Sequence, residues 1–152
     1  MQPKKIRLNK FDDERGYLLE LLPKELKNIF KYSIITSSKK NVIRGLHYDK
    51  FLNEKKLIYV IKGEILDVTV NINKNKKIYY NKLKKGDALF IPSKFAHGYK
   101  CIARETVLLY FLSKDYNPNN QKGIFWKDNK LKIKWNIKTP IISTKDKMLP
   151  NL

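Results

Sequence analysis

The strongest constraint in this chain is a hydrophobic period of two. In LDVTVNI, residues 66–72, Leu66, Val68, Val70 and Ile72 share one side while Asp67, Thr69 and Asn71 share the other. That is the pattern of a strand with one face on a core and one toward water. In TVLLYFLS, Thr106, Leu108, Tyr110 and Leu112 oppose Val107, Leu109 and Phe111, and in NKLKIKW, Leu131, Ile133 and Trp135 alternate with lysines. Turn chemistry separates such runs at Lys62-Gly63, Lys85-Gly86-Asp87, Tyr116-Asn117-Pro118-Asn119 and Asp128-Asn129, where glycine, proline and asparagine supply the backbone angles of a reversal. Only PKELKNIFK, residues 23–31, predicts a short helix, with Pro23 in its first turn and Leu26, Ile29 and Phe30 on one side. Many short strands at close spacing predict an all-β, antiparallel sandwich or barrel. A closed form of that architecture gives the chain a pocket.

A length of 152 residues suits one domain, expected to span 1–152. No window approaches the 18 or so uninterrupted apolar residues of a membrane span, so no membrane partner is expected. The opening MQPKKIRLNKFDDERG lacks the apolar core of a signal peptide, and the single cysteine, Cys101, allows no intrachain disulfide. Both features predict a cytoplasmic protein. The net charge of +19 raises the question of nucleic acid. Four of the 33 basic residues are arginines (Arg7, Arg15, Arg44 and Arg104) and the other 29 are lysines, spread along the chain rather than gathered in a block. That distribution predicts a solvated basic surface and no nucleic-acid partner. A small anionic substrate exploits the same field at less cost.

Histidine is scarce, so its two copies can be weighed one by one. His47 lies in NVIRGLHYDK and His97 in GDALFIPSKFAHG. The plain reading of each is a satisfied core or loop residue. Gly86, then Pro92 after five intervening residues, then His97 five positions further on resemble the second motif of the cupin barrel, with Lys94 where glycine is usual, and the strand running into Gly63 resembles the end of the first. Where metal-binding cupins carry an HxH pair and a glutamate, this chain has His47-Tyr48-Asp49, so a full ligand set is missing and no metal is expected. His47, Asp49 and His97 also spell the HxD…H order of an iron facial triad, with Arg104 nearby as a 2-oxoacid clamp. A third reading makes His47 a proton-transfer base oriented by a carboxylate, opposed by a tyrosine acid and assisted by an ammonium group. Lys56 and Tyr110 lie on strands that can aim them inward. Composition leaves all three chemistries open.

Taken together, the pieces FDDERGYLLE, SSKKNVIRGLHY, KLIYVIKGEILDV, IPSKFAHGY, LLYFLSKDYNP, GIFWKD and ISTKDKMLP occur in register along the chain. They resemble the dTDP-4-dehydrorhamnose 3,5-epimerase family of cupin-like sugar-nucleotide epimerases. The resemblance implies a cupin-type antiparallel β-sandwich or jelly-roll barrel with one or two short helices. It makes His47 the base, Asp146 of STKD the carboxylate that orients it, Lys56 the cation beside the C4 carbonyl, and Tyr110 the acid on the opposite face. It also implies that His97 lines the pocket and that Arg15 of DERG and Arg44 of RGLH contact the diphosphate. Tyr116 falls near the nucleotide base, and Glu20, closing FDDERGYLLE, falls among the substrate-binding residues. Gly45, between Arg44 and His47, allows a close backbone approach. The stretch FKYSIIT puts Tyr32 and Ile34 where the family usually carries polar side chains.

The implied chemistry follows from the substrate. A 4-keto group acidifies the hydrogens on C3 and C5, so a base of ordinary strength can remove one if the oxyanion is stabilised, and reprotonation from the other side inverts the centre. The implied partner is a nucleotide-diphosphate sugar, with no cofactor, in a homodimer formed by strand exchange near the N-terminus. A 3,4-ketoisomerase or C3-only epimerase is the near alternative. An iron oxygenase and a non-catalytic sugar-nucleotide-binding cupin are the distant ones.

Overall fold

The computed structural model describes residues 1–73 and 75–152. Its strands run in the order β1 (Lys4–Ile6), β2 (Asn9–Asp13), β3 (Gly16–Glu20), β4 (Tyr32–Lys39), β5 (Ile43–Asp49) and β6 (Lys56–Lys62). They continue as β7 (Glu64–Asn71), β8 (Ile78–Lys84), β9 (Ala88–Ile91), β10 (Phe95–Cys101), β11 (Glu105–Leu112) and β12 (Gln121–Gly123), before a short helix α1 (Thr144–Lys147). One five-stranded sheet has the order β1-β9-β6-β11-β4, a second has β12-β5-β10-β7-β8, and β2-β3 form a separate hairpin. Every strand pairing is antiparallel. The expected all-β sandwich of cupin type is what forms.

Three apolar clusters explain why the sheets stack. Between them lie Ile58 and Val60 of β6, Ile65 of β7, Leu83 of β8, Leu89 and Ile91 of β9, and Leu108 of β11. The outer face of the second sheet presents Ile43, Leu46, Val68, Val70 and Ala96, and is covered by Ile124, Leu131 and Trp135 from the C-terminal segment. The outer face of the first presents Leu57, Tyr59, Ala88 and Phe90, against which Ile6, Leu19, Leu26, Phe30 and other N-terminal residues pack. Each fully buried Leu or Ile contributes roughly 1.5–3 kcal/mol of transfer free energy. Both sheets are thus covered on both faces over much of their area.

That double cover corrects one expectation. On β7, Leu66, Val68 and Val70 do face together, but the opposite set is not wet: Asp67 and Thr69 are 0% exposed. Alternation distinguished two faces correctly and mistook the interior polar one for solvent. A second expected strand, NKLKIKW, is absent because Lys132 and Asn136 take left-handed backbone angles (φ 48° and 50°) that break an extended run. Its apolar residues Leu131, Ile133 and Trp135 still pack on the sheet. The helix expected over 23–31 shrinks to one 3₁₀ turn at Lys24–Leu26, from which Leu26 and Phe30 reach the core. With a second 3₁₀ turn at Pro118–Asn120 and α1, the helical segments number three among the described residues, where one or two were expected. The turns at Gly63 and Gly86 adopt positive φ as anticipated.

Candidate active site

Two strands from each sheet bring polar side chains into the space between the sheets. From the second sheet, His47 projects from β5 and His97 from β10, and they are directly opposite in the cross-strand register. From the first, Lys56 opens β6 and Tyr110 sits late in β11. All four line one cavity of about 520 Å³ that also includes Arg44, Tyr99, Tyr116 and Asp146. That size falls within the range of small-molecule clefts, roughly 300–1,000 Å³.

The His47 ring and a distant aspartate make the central contact. His47 Nε2 lies 2.8 Å from Asp146 Oδ1, and the Gly45 amide donates to Asp146 Oδ2 at 3.0 Å. Asp146 is 4% exposed. It is held in the first turn of α1, where its own amide donates to the Ser143 Oγ cap at 3.1 Å. Burial alone pushes this carboxyl up. The hydrogen bond and charge of His47, the Gly45 amide and Lys145 outweigh it and hold the group below its ordinary 3.8. Asp146 is therefore a carboxylate at neutral pH, able to fix the imidazole tautomer and to stabilise its protonated form.

Gly45 is needed for this geometry. Its φ is +109°, and a Cβ there would meet Gly98 Cα and the His97 carbonyl oxygen at 2.6 Å each. The close backbone approach expected at this glycine is made by strand β10.

His97 has its own aspartate: Nε2 donates to Asp67 Oδ2 at 2.6 Å in the interior. Burial depresses its protonation more than Asp67 restores it, with Lys56 and His47 pushing the same way, so the ring titrates below 6.5. His97 is therefore a neutral imidazole at neutral pH. Burial, then Tyr99 and the Asp67 charge, hold the Tyr110 phenol well above its ordinary 10.0, so it keeps its proton throughout the physiological range. Tyr99 in turn bonds Thr36 Oγ1 at 3.2 Å and Ser38 Oγ at 3.4 Å. Arg44 reaches across to β4, donating from Nε to Ser38 Oγ at 2.9 Å and from Nη2 to the Ser37 carbonyl at 3.2 Å. Lys56 pairs with Glu54.

Of the residues singled out in the sequence, His47, Asp146, Tyr110, Lys56, Arg44, His97 and Tyr116 line the cavity, and Ile34 is part of its wall. Arg15 and Glu20 do not. The β2-β3 hairpin pairs only with itself, and Arg15 at its turn is 85% exposed, clasping Asp13. Glu20 accepts from Asn9 at 2.9 Å and borders a separate depression with Arg7 and Lys24. The facial-triad arrangement does not form. No three His, Cys, Asp or Glu side chains converge as metal ligands among the described residues, and the Asp49 carboxylate is turned to the Asn53 amide. Arg104 is exposed in the turn between β10 and β11, outside the cavity lining. The sequence reading missed Asp67, which looked solvent-facing, and Glu54, which stands in a polar loop and belongs to no recognisable pattern.

Comparison with known proteins meets this geometry from another direction. The family model described as dTDP-4-dehydrorhamnose 3,5-epimerase matches residues 3–152. The dTDP-4-dehydrorhamnose 3,5-epimerase of Methanothermobacter thermautotrophicus is 32% identical over 152 residues, covering 90% of this chain and 82% of that one. The crystal structure of the Bacillus anthracis dTDP-4-dehydrorhamnose 3,5-epimerase, with TDP and PPi bound, superposes with a TM-score of 0.90 at 30% identity, covering 99% of this chain and 94% of that one. A dTDP-6-deoxy-D-glucose-3,5-epimerase from Legionella pneumophila, solved with dTDP-4-keto-L-rhamnose, superposes at 0.88 with 26% identity, covering 98% and 87%. With the match running from residue 3 to residue 152, the chain belongs to the dTDP-4-dehydrorhamnose 3,5-epimerase family and is an enzyme of the isomerase class.

Proposed function

We propose that this enzyme epimerises C3, C5 or both in a nucleotide-linked 4-keto-6-deoxy sugar of the dTDP-4-dehydrorhamnose type. His47 removes the proton next to the carbonyl, and Asp146 stabilises the imidazolium that results. The Lys56 ammonium takes up the negative charge that develops on the C4 oxygen. Tyr110 returns a proton to the opposite face of the ring, inverting the centre. The observation that carries this reading is the division of labour between sheets. The oriented base sits on one wall of the cavity, and the ammonium and the proton-bearing phenol sit on the other. Inversion needs a base and an acid on opposite faces of one carbon, and a sandwich interior supplies that arrangement.

Arg44 binds the diphosphate through its planar fork, and Tyr116, 53% exposed at the rim, packs near the nucleotide base. Supporting a homodimer are the exposed Phe11, Tyr17 and Leu18 of the β2-β3 hairpin and the exposed Tyr32 and Ile35 on β4, an edge strand. Apolar hairpins and open edges of this kind are ordinarily covered. In that dimer the hairpin carries Arg15 to the partner's diphosphate site. Residues 1–152 act as one catalytic unit, in the cytoplasm, supplying a sugar for cell-surface polysaccharide. Burial of the lone Cys101 agrees with a reducing compartment, and no helix among the described residues is long and apolar enough to cross a membrane.

Solvent deuterium tests the reading. Incubated in D₂O with dTDP-, GDP-, UDP- and CDP-linked 4-keto-6-deoxy sugars, the enzyme is expected to place label at C3, C5 or both of the dTDP substrate, with epimer visible by NMR. Absence of label from both carbons with every nucleotide would overturn it.

A further inference from the structure

Three buried carboxylates stand in or directly behind the cavity wall, each paired with one histidine or lysine. Asp146 serves His47 and Asp67 serves His97. The third is Glu54, in the loop leading into β6, whose Oε2 lies 3.2 Å from the Lys56 ammonium. The two side chains are only 5% and 10% exposed, and both residues line the cavity. Among the described residues Glu54 is the only carboxylate within ion-pair distance of Lys56. The other ionisable side chains that line this space are His47 from β5 with its partner Asp146, His97 from β10, Arg44, Lys145, and the tyrosines Tyr99, Tyr110 and Tyr116.

A buried ion pair is weak evidence for stability, because removing two charges from water costs about as much as their attraction returns. Its value is in direction. Lysine is a point charge on a flexible stem with three rotatable donors, whereas stabilising a developing oxyanion requires a donor already aimed before the charge appears. A carboxylate that engages one donor fixes the ammonium and leaves the others for the substrate. Without it, Lys56 is left among two histidines and an arginine, all of which repel a cation when protonated.

We propose that Glu54 is a positioning residue that aims the Lys56 ammonium at the C4 oxygen of the sugar; this rests on the epimerase reading above. The test measures label wash-in from D₂O and KM for wild type, Glu54→Gln, Glu54→Ala, Lys56→Ala and the Glu54→Ala/Lys56→Ala double variant. Loss of aim falls on the chemical step, so Glu54→Ala is expected to lower kcat by about 10²-fold with KM held within about threefold. Glu54→Gln, which keeps an acceptor of the same shape, recovers part of that loss. In the double variant the loss is no greater than in Lys56→Ala alone, because a residue that acts through another has nothing left to act on. Thermal unfolding of each variant keeps the reading independent of stability, and the isosteric Gln variant carries the test if the Ala variant fails to fold. Wild-type kcat in both Glu54 variants, or losses that multiply those of Lys56→Ala, would overturn the role of Glu54 while leaving the epimerase reading intact. A wild-type enzyme that incorporates no label overturns both.

Discussion

In the proposed mechanism Tyr110 and His47 divide one proton transfer between them, so their removal has different signatures. Tyr110→Phe leaves the dyad of His47 and Asp146 intact. The variant is expected to keep exchanging substrate hydrogen with solvent while forming inverted product about 10²–10⁴-fold more slowly, the usual loss for a general acid. NMR of label and product in one tube separates the two rates. His97 makes a prediction about stability. Its folded protonation is depressed below 6.5 by burial, although Asp67 on β7 pulls the other way and Lys56 on β6 and His47 on β5 add to the depression. A depressed base costs nothing above 6.5, and stability is lost as pH falls through 6.5 toward the lower folded value, because the unfolded chain binds the proton first. His97→Asn is expected to flatten that decline in thermal midpoint between about pH 8 and pH 5. Equal slopes in both proteins would contradict it. At this scale the sequence exposed the two histidines through their rarity, and Arg44, Lys56 and Tyr110 through motifs. Asp67 and Glu54 stayed hidden because a carboxylate in a strand or polar loop looks solvated until the opposing sheet is in place.

At the scale of elements, the alternating runs of β7 and β11 were legible because burial on a pleated surface repeats every second residue. What failed was the inference from alternation to hydrogen bonding. Leu131, Ile133 and Trp135 alternate and are covered, yet the backbone turns aside at Lys132 and Asn136, which are positions where nothing in the side chains announces a left-handed residue. The four-residue α1 was equally invisible, being shorter than any periodic signal. It nonetheless governs the site, because Ser143 caps it and Asp146 sits in its first turn. Ser143→Ala is expected to destabilise the protein by about 1 kcal/mol, the ordinary cost of a lost cap. It should also lower kcat, since the amide that Ser143 secures belongs to Asp146 itself. Chemical denaturation and steady-state kinetics measure the two effects, and an unchanged kcat would show that α1 holds its register without the cap.

For the whole molecule, a charge of +19 surrounds a cavity whose own cations are Arg44, Lys56 and Lys145. Substrate bearing a diphosphate is drawn inward by that field, and salt screens it over about 10 Å at 0.1 M. KM for the sugar nucleotide is expected to rise several-fold between roughly 0.05 and 0.5 M salt, with kcat nearly constant. A KM indifferent to salt would assign recognition to short-range contacts alone. The sandwich itself adds one more consequence. In the proposed mechanism base and acid ride on separate slabs whose gap is set by Ile58, Val60, Ile65 and Leu108, none of which lines the cavity. On that reading the carbon lying midway between the slabs is the one that changes hand. A slight tilt of one slab, produced by a methyl group gained or lost deep in the filling, is therefore expected to select a different carbon while every reactive side chain stays the same.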